Sequence, residues 1–258
     1  MLSLEQILEQ YPASLRNFPE SLLKEYLQYK ILDSIFNSAS GQKLAFLGGT
    51  ALRIIHNGSR FSEDLDFDNF DLKADEFVDL GDEIKKYLEL EGLEVEIDSK
   101  TESAYRLKIR IPRLLFDTGL AHQPEQKILI QVDTVPQNFD YRPDKPILNK
   151  FEVFTQINAV PRDILLAQKI FAAVGRKRAK GRDFFDIVFL YGIGARPNFD
   201  YLEKNLDIKE QKQLKISLLE KTKNMDFKSL AQDVEPFLFN PKDSNKVFLF
   251  REFIRQQF

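Results

Sequence analysis

Asp64-Leu65-Asp66-Phe67-Asp68 alternates acid with apolar residues. Read as a strand, it points Asp64, Asp66 and Asp68 one way and Leu65 and Phe67 the other, so one face is core and the other a crowd of carboxylates. No lysine or arginine is interleaved on that face. Like charges so close raise one another's pKa and destabilise the fold unless a cation neutralises them. A bound divalent ion would do so, and oxygen-only donors suit the hard ions Mg2+ or Mn2+, which also bridge nucleotide phosphates. The bland alternative is a solvated acidic strand edge, which the apolar Leu65 and Phe67 behind it disfavour.

Two further elements bear on the same chemistry. Gly48-Gly49-Thr50 follows a short apolar run, and paired glycines let backbone N–H groups approach an anion while the next helix presents its positive end. Thr50 adds a hydroxyl donor; alone, the glycine pair reads as a tight turn. In Ile128-Leu129-Ile130-Gln131-Val132-Asp133-Thr134 the apolar run is broken by one acid. On a half-buried strand Asp133 shares a face with Leu129 and Gln131, from which it can project toward Asp64 and Asp66. Three carboxylates can hold two ions, which about 3.5–4 Å apart stabilise the attacking and leaving oxygens of an in-line phosphoryl displacement.

Cations come later in the chain. Lys169 is the single charge in the apolar stretch Ile164 to Ala173 and either snorkels to solvent or meets an anion. Arg176, Lys177, Arg178, Lys180 and Arg182 crowd into seven residues, a solvated loop or a patch contacting RNA or nucleotide. If the helix carrying Lys169 continues, Arg176 lies on its face. Asp183 and Asp186 follow the run and could also serve as helix-start acids. His56 reads as a helix-end residue, and His122 lies in a loop-like stretch without a role.

Spacing indicates which elements position these residues. Residues 2–39 read as two helices broken by Pro12 and Pro19; Lys43 to Leu47 is a strand, and a helix resumes from Ala51 to His56. A charged amphipathic helix covers Ala74 to Leu90, and strands cover Leu93 to Ile97, Tyr105 to Ile111 and Lys127 to Val135, a mixed sheet with a hairpin-like second half. Pro136 to Lys150 is the candidate linker, with three prolines and few apolar residues. Helical spacing follows at Arg162 to Val174, Asp183 to Tyr191, Tyr201 to Leu219 and Val247 to Ile254. The expectation is two lobes, 1–150 and 151–258.

Composition narrows the chemistry. The absence of cysteine removes disulfide scaffolds, thiolate zinc sites and cysteine nucleophiles, and two histidines argue against a histidine metal site. The formal charge of −3 excludes a uniformly basic nucleic-acid coat, so any polyanion contact must be local. No stretch approaches ~18 uninterrupted apolar residues and the first residues do not read as a signal peptide, so a cytoplasmic protein without membrane contact is expected.

Phe46-Leu47-Gly48-Gly49-Thr50-Ala51-Leu52-Arg53, Arg60-Phe61-Ser62-Glu63-Asp64-Leu65-Asp66-Phe67 and the segment from Leu166 to Asp186 resemble the AbiEii/AbiGii toxin family over about residues 40–195. The resemblance implies an α+β fold: a polymerase β-like nucleotidyltransferase mixed sheet with flanking helices, and a mostly α-helical C-terminal lobe. It implies a type IV toxin that transfers a nucleoside monophosphate from an NTP to an acceptor, RNA such as the tRNA 3′ end, with a cognate antitoxin as partner. By the family's pattern Gly48, Gly49 and Thr50 hold the triphosphate; Arg53 and Ser62 are candidate nucleotide contacts, and the Ser62 hydroxyl, two residues before Asp64, could face the metal site or simply end a turn. Asp64 and Asp66 bind Mg2+ or Mn2+, and Asp133 is the third carboxylate. Lys169 meets the triphosphate, and Arg182-Asp183 with Asp186 match an Arg-Asp-x-x-Asp block whose acid orients the lysine or the nucleotide. Lys169 and Asp183 would complete a phosphate-handling cleft, and the basic run would receive RNA. The rival readings are a non-catalytic binder of the same fold and an enzyme modifying a small molecule or a protein.

Overall fold

Two helices and a four-residue strand precede the Gly-Gly turn, as their apolar spacing requires: α1 (Leu4–Glu9), α2 (Pro19–Asn37) and β1 (Leu44–Leu47). A computed structural model describes residues 1–102 and 104–257 and divides the chain into two compact units. The first takes Met1–His56 and Ser62–Val160; the second takes Asn57–Phe61 and the chain from Pro161 onward.

In the first unit, α3 (Gly48–His56), β2 (Leu65–Asn69), α4 (Ala74–Leu90), β3 (Glu96–Lys100), β4 (Tyr105–Ile111), the short α5 (Leu114–Asp117) and β5 (Ile128–Pro136) follow in order. The five strands form one sheet in the order β1-β2-β5-β4-β3, with β2 and β5 parallel and the other neighbours antiparallel. This is the mixed sheet of an α+β fold. Leu65, Phe67, Leu107, Ile109, Ile130 and Val132 bury the inner face, one residue in two along each strand. The apolar stripe of α4, Phe77, Leu80, Ile84 and Leu88, is buried to the last side chain.

α2 is buried on most of its circumference, so its charges need partners. Lys30 Nζ lies 2.6 Å from Glu91, and Glu25 accepts from Arg53, Lys150 and Tyr11. β3 starts three residues later than spacing suggests, because Gly92 at φ 86 closes α4 and the Leu93 N–H still donates to the Leu88 carbonyl.

The stretch 137–146 does not lead out of this unit. It runs into a hairpin of β6 (Ile147–Lys150) and β7 (Val153–Gln156), turned at Phe151 with φ 58 and laid against α2. Four-residue strands carry too little periodicity to register, so the sequence reads as helical from residue 151. The first unit ends only at Val160, whose N–H donates to the Phe46 carbonyl.

The second unit holds α6 (Arg162–Gly175), α7 (Gly181–Gly192), α8 (Phe199–Leu206), α9 (Gln211–Lys221), α10 (Phe227–Val234), α11 (Asn245–Phe248) and α12 (Phe250–Gln257). The periodic span from Tyr201 to Leu219 is two helices, because Asp207 takes φ 56 and ends the first. α10, which spacing misses, is capped by Asp226, whose side chain accepts from the Lys228 and Ser229 N–H groups. Phe184 meets Phe227 and Phe250 with ring centroids 5.3 and 4.8 Å away, so these phenylalanines are core. Among the described residues no helix is long and apolar enough to cross a membrane.

Candidate active site

β1 ends at Leu47 and α3 begins at once with Gly48, Gly49 and Thr50 as its first turn, all buried. Gly48 sits at φ 82, the left-handed region that glycine alone enters without strain, and a Cβ there would lie 2.3 Å from Asp66 Oδ2. The turn is therefore packed directly on one of the carboxylates. Thr50 is fully buried and its hydroxyl donates to the Asp64 carbonyl. In this position its hydroxyl fastens α3 to the start of the acidic strand. Gln28 of α2 completes the bracing by donating to the Ser62 and Glu63 carbonyls at 2.9 and 3.0 Å.

β2 carries Asp66 and is directly preceded by Asp64; Leu65 and Phe67 lie in the core, while Asp64 and Asp66 are half-buried. Asp68 is different. It is buried and accepts from Tyr141 Oη at 2.6 Å, which occupies that carboxylate structurally. The parallel register places Asp66 opposite Asp133 of β5, and the antiparallel register places Asp133 opposite Arg106 of β4. One row across the sheet therefore reads Asp66, Asp133, Arg106. Asp64 Oδ1 accepts two long bonds from Gln131, its backbone and side-chain nitrogens both at 3.4 Å.

Arg106 is the cation that the bare sequence does not show. Its fork holds Asp133 by two bonds, Nε to Oδ1 at 2.6 Å and Nη2 to Oδ2 at 2.9 Å. The hydrogen bond and charge of Asp133 raise its pKa above the ordinary value, and the charges of Asp64 and Asp66 add to the effect. The alternation of Tyr105 to Ile111 puts Arg106 on the outward face, but only strand register could set it beside Asp133.

The donor chemistry of the row fits a hard divalent ion at Asp64 and Asp66, two carboxylates on one strand face beside a turn that leaves room only for hydrogen at Gly48. Asp133 fits less directly, because Arg106 already takes both of its oxygens. Among the described residues no group of three acids or histidines is arranged to hold a metal. Arg53, read as a nucleotide contact, donates to buried Glu25 at 2.7 Å.

In the second unit Lys169 does not snorkel. Its ammonium lies 2.7 Å from Asp186 Oδ2, and the same carboxylate takes a two-pronged bond from Arg60, both contacts at 2.7 Å. Burial alone would push Asp186 up; the charges of Arg60 and Lys169 outweigh that and hold it below the usual carboxylate range. Arg60 belongs to the short segment Asn57–Phe61, anchored where the Phe61 N–H donates to the Phe237 carbonyl at 2.8 Å. Of the two acids after the basic run, Asp186 orients the lysine, while Asp183 lies 3.2 Å from Arg176 Nε.

The helix carrying Lys169 ends at Gly175, and Arg176 turns to extended backbone, so Arg176 does not continue its face. Arg176, Lys177, Arg178 and Lys180 are exposed, whereas Arg182 lies 4.7 Å over the Phe237 ring.

A family model described as "Nucleotidyl transferase AbiEii toxin, Type IV TA system" matches residues 30–248. The match extends beyond the motif strings on both sides, into α2 and the C-terminal helices. Among solved structures, the fold is similar to that of JHP933 from Helicobacter pylori, 17% identical over 92% of this chain and 93% of that one, with a TM-score of 0.54. It is also similar to a putative nucleotidyltransferase from H. pylori, 18% identical over 92% and 96% of the two chains, with a TM-score of 0.53. At such identities the likeness is one of fold. No curated protein matches.

Proposed function

Because the chain belongs to the AbiEii family of nucleotidyl transferase toxins of type IV toxin–antitoxin systems, we propose that it moves a nucleoside monophosphate from an NTP onto an RNA hydroxyl, the tRNA 3′ end. The observation that carries this reading is the Gly48 turn seated on the Asp66 carboxylate, with Asp133 opposite Asp66 in the adjoining strand. It joins an anion-accepting helix start to metal-binding acids.

Asp64 and Asp66 would hold Mg2+ or Mn2+, which when bound neutralises phosphate charge and lowers the pKa of the acceptor hydroxyl. The N–H groups at the start of α3 orient the triphosphate, and Ser62 lies beside the strand that bears the acids. The acceptor oxygen bonds to the α-phosphorus as the bond to the bridging oxygen breaks. Pyrophosphate leaves with that electron pair, and the hydroxyl proton passes to Asp133. In the second unit Asp186 aims Lys169, a cation suited to phosphate charge, and Asp183 holds Arg176 at the head of the basic run. The exposed cations of that run receive the RNA backbone, which sets RNA above a small neutral acceptor. NTP and tRNA place the work in the cytoplasm, and the type IV family implies an antitoxin partner.

The test is Asp66→Ala with labelled NTPs and total RNA. Wild-type protein should label RNA and the variant should lose at least about a hundredfold of that rate. Equal labelling by both would refute the site, and ion-dependent NTP binding without turnover on any RNA pool would make the protein a binder.

A further inference from the structure

The third carboxylate is already neutralised by a side chain of the protein itself. Arg106 meets Asp133 side-on, through Nε and Nη2, from the directly opposite position on β4, so backbone register as well as charge holds the pair. Asp66 is the next residue along the same row, and the guanidinium also feels the charges of Asp64 and Asp66. A guanidinium is a fixed monovalent cation that cannot be titrated away. It takes both oxygens of Asp133, the carboxylate that a second divalent ion shared with Asp66 would need.

We infer that Arg106 takes the place of that second ion, so that the nucleotide-free protein holds one divalent ion at Asp64 and Asp66 and Asp133 is closed to metal. The inference rests on the metal reading of Asp64 and Asp66 given above. Arg106 is a positioning residue: it touches Asp133 and acts on the ion through that carboxylate. Its side chain is about half exposed, so truncating it opens no core cavity.

The experiment titrates the full chain with Mn2+ in the absence of nucleotide, by calorimetry and by the electron paramagnetic resonance of free Mn2+. Wild type should bind one ion, and Asp66→Asn should abolish that binding. Arg106→Ala should gain a second ion, or bind the first about tenfold tighter, because a repelling charge is gone and a carboxylate is freed. Arg106→Ala with Asp133→Asn should return to wild-type binding. Thermal melting of each variant checks that it is folded.

Identical titrations of wild type and Arg106→Ala would overturn the inference while leaving the metal site standing. A gain that persists in the double variant would overturn it as well, since the effect would not run through Asp133. No binding by any folded variant, wild type included, would instead overturn the underlying metal reading.

Discussion

A single hydrogen atom decides the geometry beside Asp66. Gly48 combines a left-handed backbone with an approach so close that any Cβ would enter the carboxylate. Gly48→Ala should therefore lower nucleotidyl transfer by about a hundredfold, since displacing a catalytic group by ~1 Å is enough for that. Its cost in stability should be ~1–2 kcal/mol, from backbone strain at a positive φ. Labelling assays and urea denaturation of the same preparation separate the two effects; full activity in a folded Gly48→Ala protein would show that the turn does not position Asp66. Among the acids, types alone do not separate the members. Asp66 meets the turn, Asp133 meets Arg106 and Asp68 meets Tyr141, so three similar aspartates on one sheet have three different neighbours.

At the scale of elements, Asp186 joins α7 to α6 through Lys169 and to the segment Asn57–Phe61 through Arg60. Asp186→Asn would leave two cations with a neutral partner, Arg60 being almost fully buried, and should destabilise the second unit by ~3–5 kcal/mol. The pH dependence follows from the direction of the shift. A carboxylate whose folded pKa lies below its unfolded value, near 4, contributes stability that is fully present above pH ~4 and is lost as pH falls through the folded pKa. Wild-type stability should thus decline in acid below about pH 4 with a component absent from Asp186→Asn, measured as denaturation midpoints from pH 2 to 7. Parallel acid sensitivity in both proteins would show that Asp186 is not responsible. Spacing identified most of the elements involved, α4 and β4 to the residue, because long amphipathic runs repeat their signal several times. It missed the β6–β7 hairpin and α10, short elements whose existence depends on what they pack against.

For the whole molecule, a net charge of −3 and a concentrated basic run make any RNA affinity local and salt-sensitive. Replacing Arg176, Lys177, Arg178 and Lys180 together with glutamine should weaken tRNA binding. It should also flatten the plot of log affinity against log salt by about 0.7 for each lost phosphate contact with a single strand. NTP binding should be unchanged. Equal salt slopes in variant and wild type, read by filter binding from 50 to 300 mM salt, would show that RNA is received elsewhere. Arg182 stays out of this set because it already covers Phe237.

Much of the candidate site was legible in the sequence, because it is made of residue types at short spacing: Gly48-Gly49-Thr50 at a strand end, acids alternating from Asp64, and a lone lysine at position 169 in an apolar helix. Tertiary structure alone decided the pairings, since each joins residues far apart in the chain. Arg106 finds Asp133 across 27 positions and Arg60 finds Asp186 across 126. Such contacts follow from strand register and helix packing, which are set by the burial of the whole core and leave no local trace in composition or period. The sequence therefore announced carboxylates in need of a cation, and the fold showed that one of them already has an arginine.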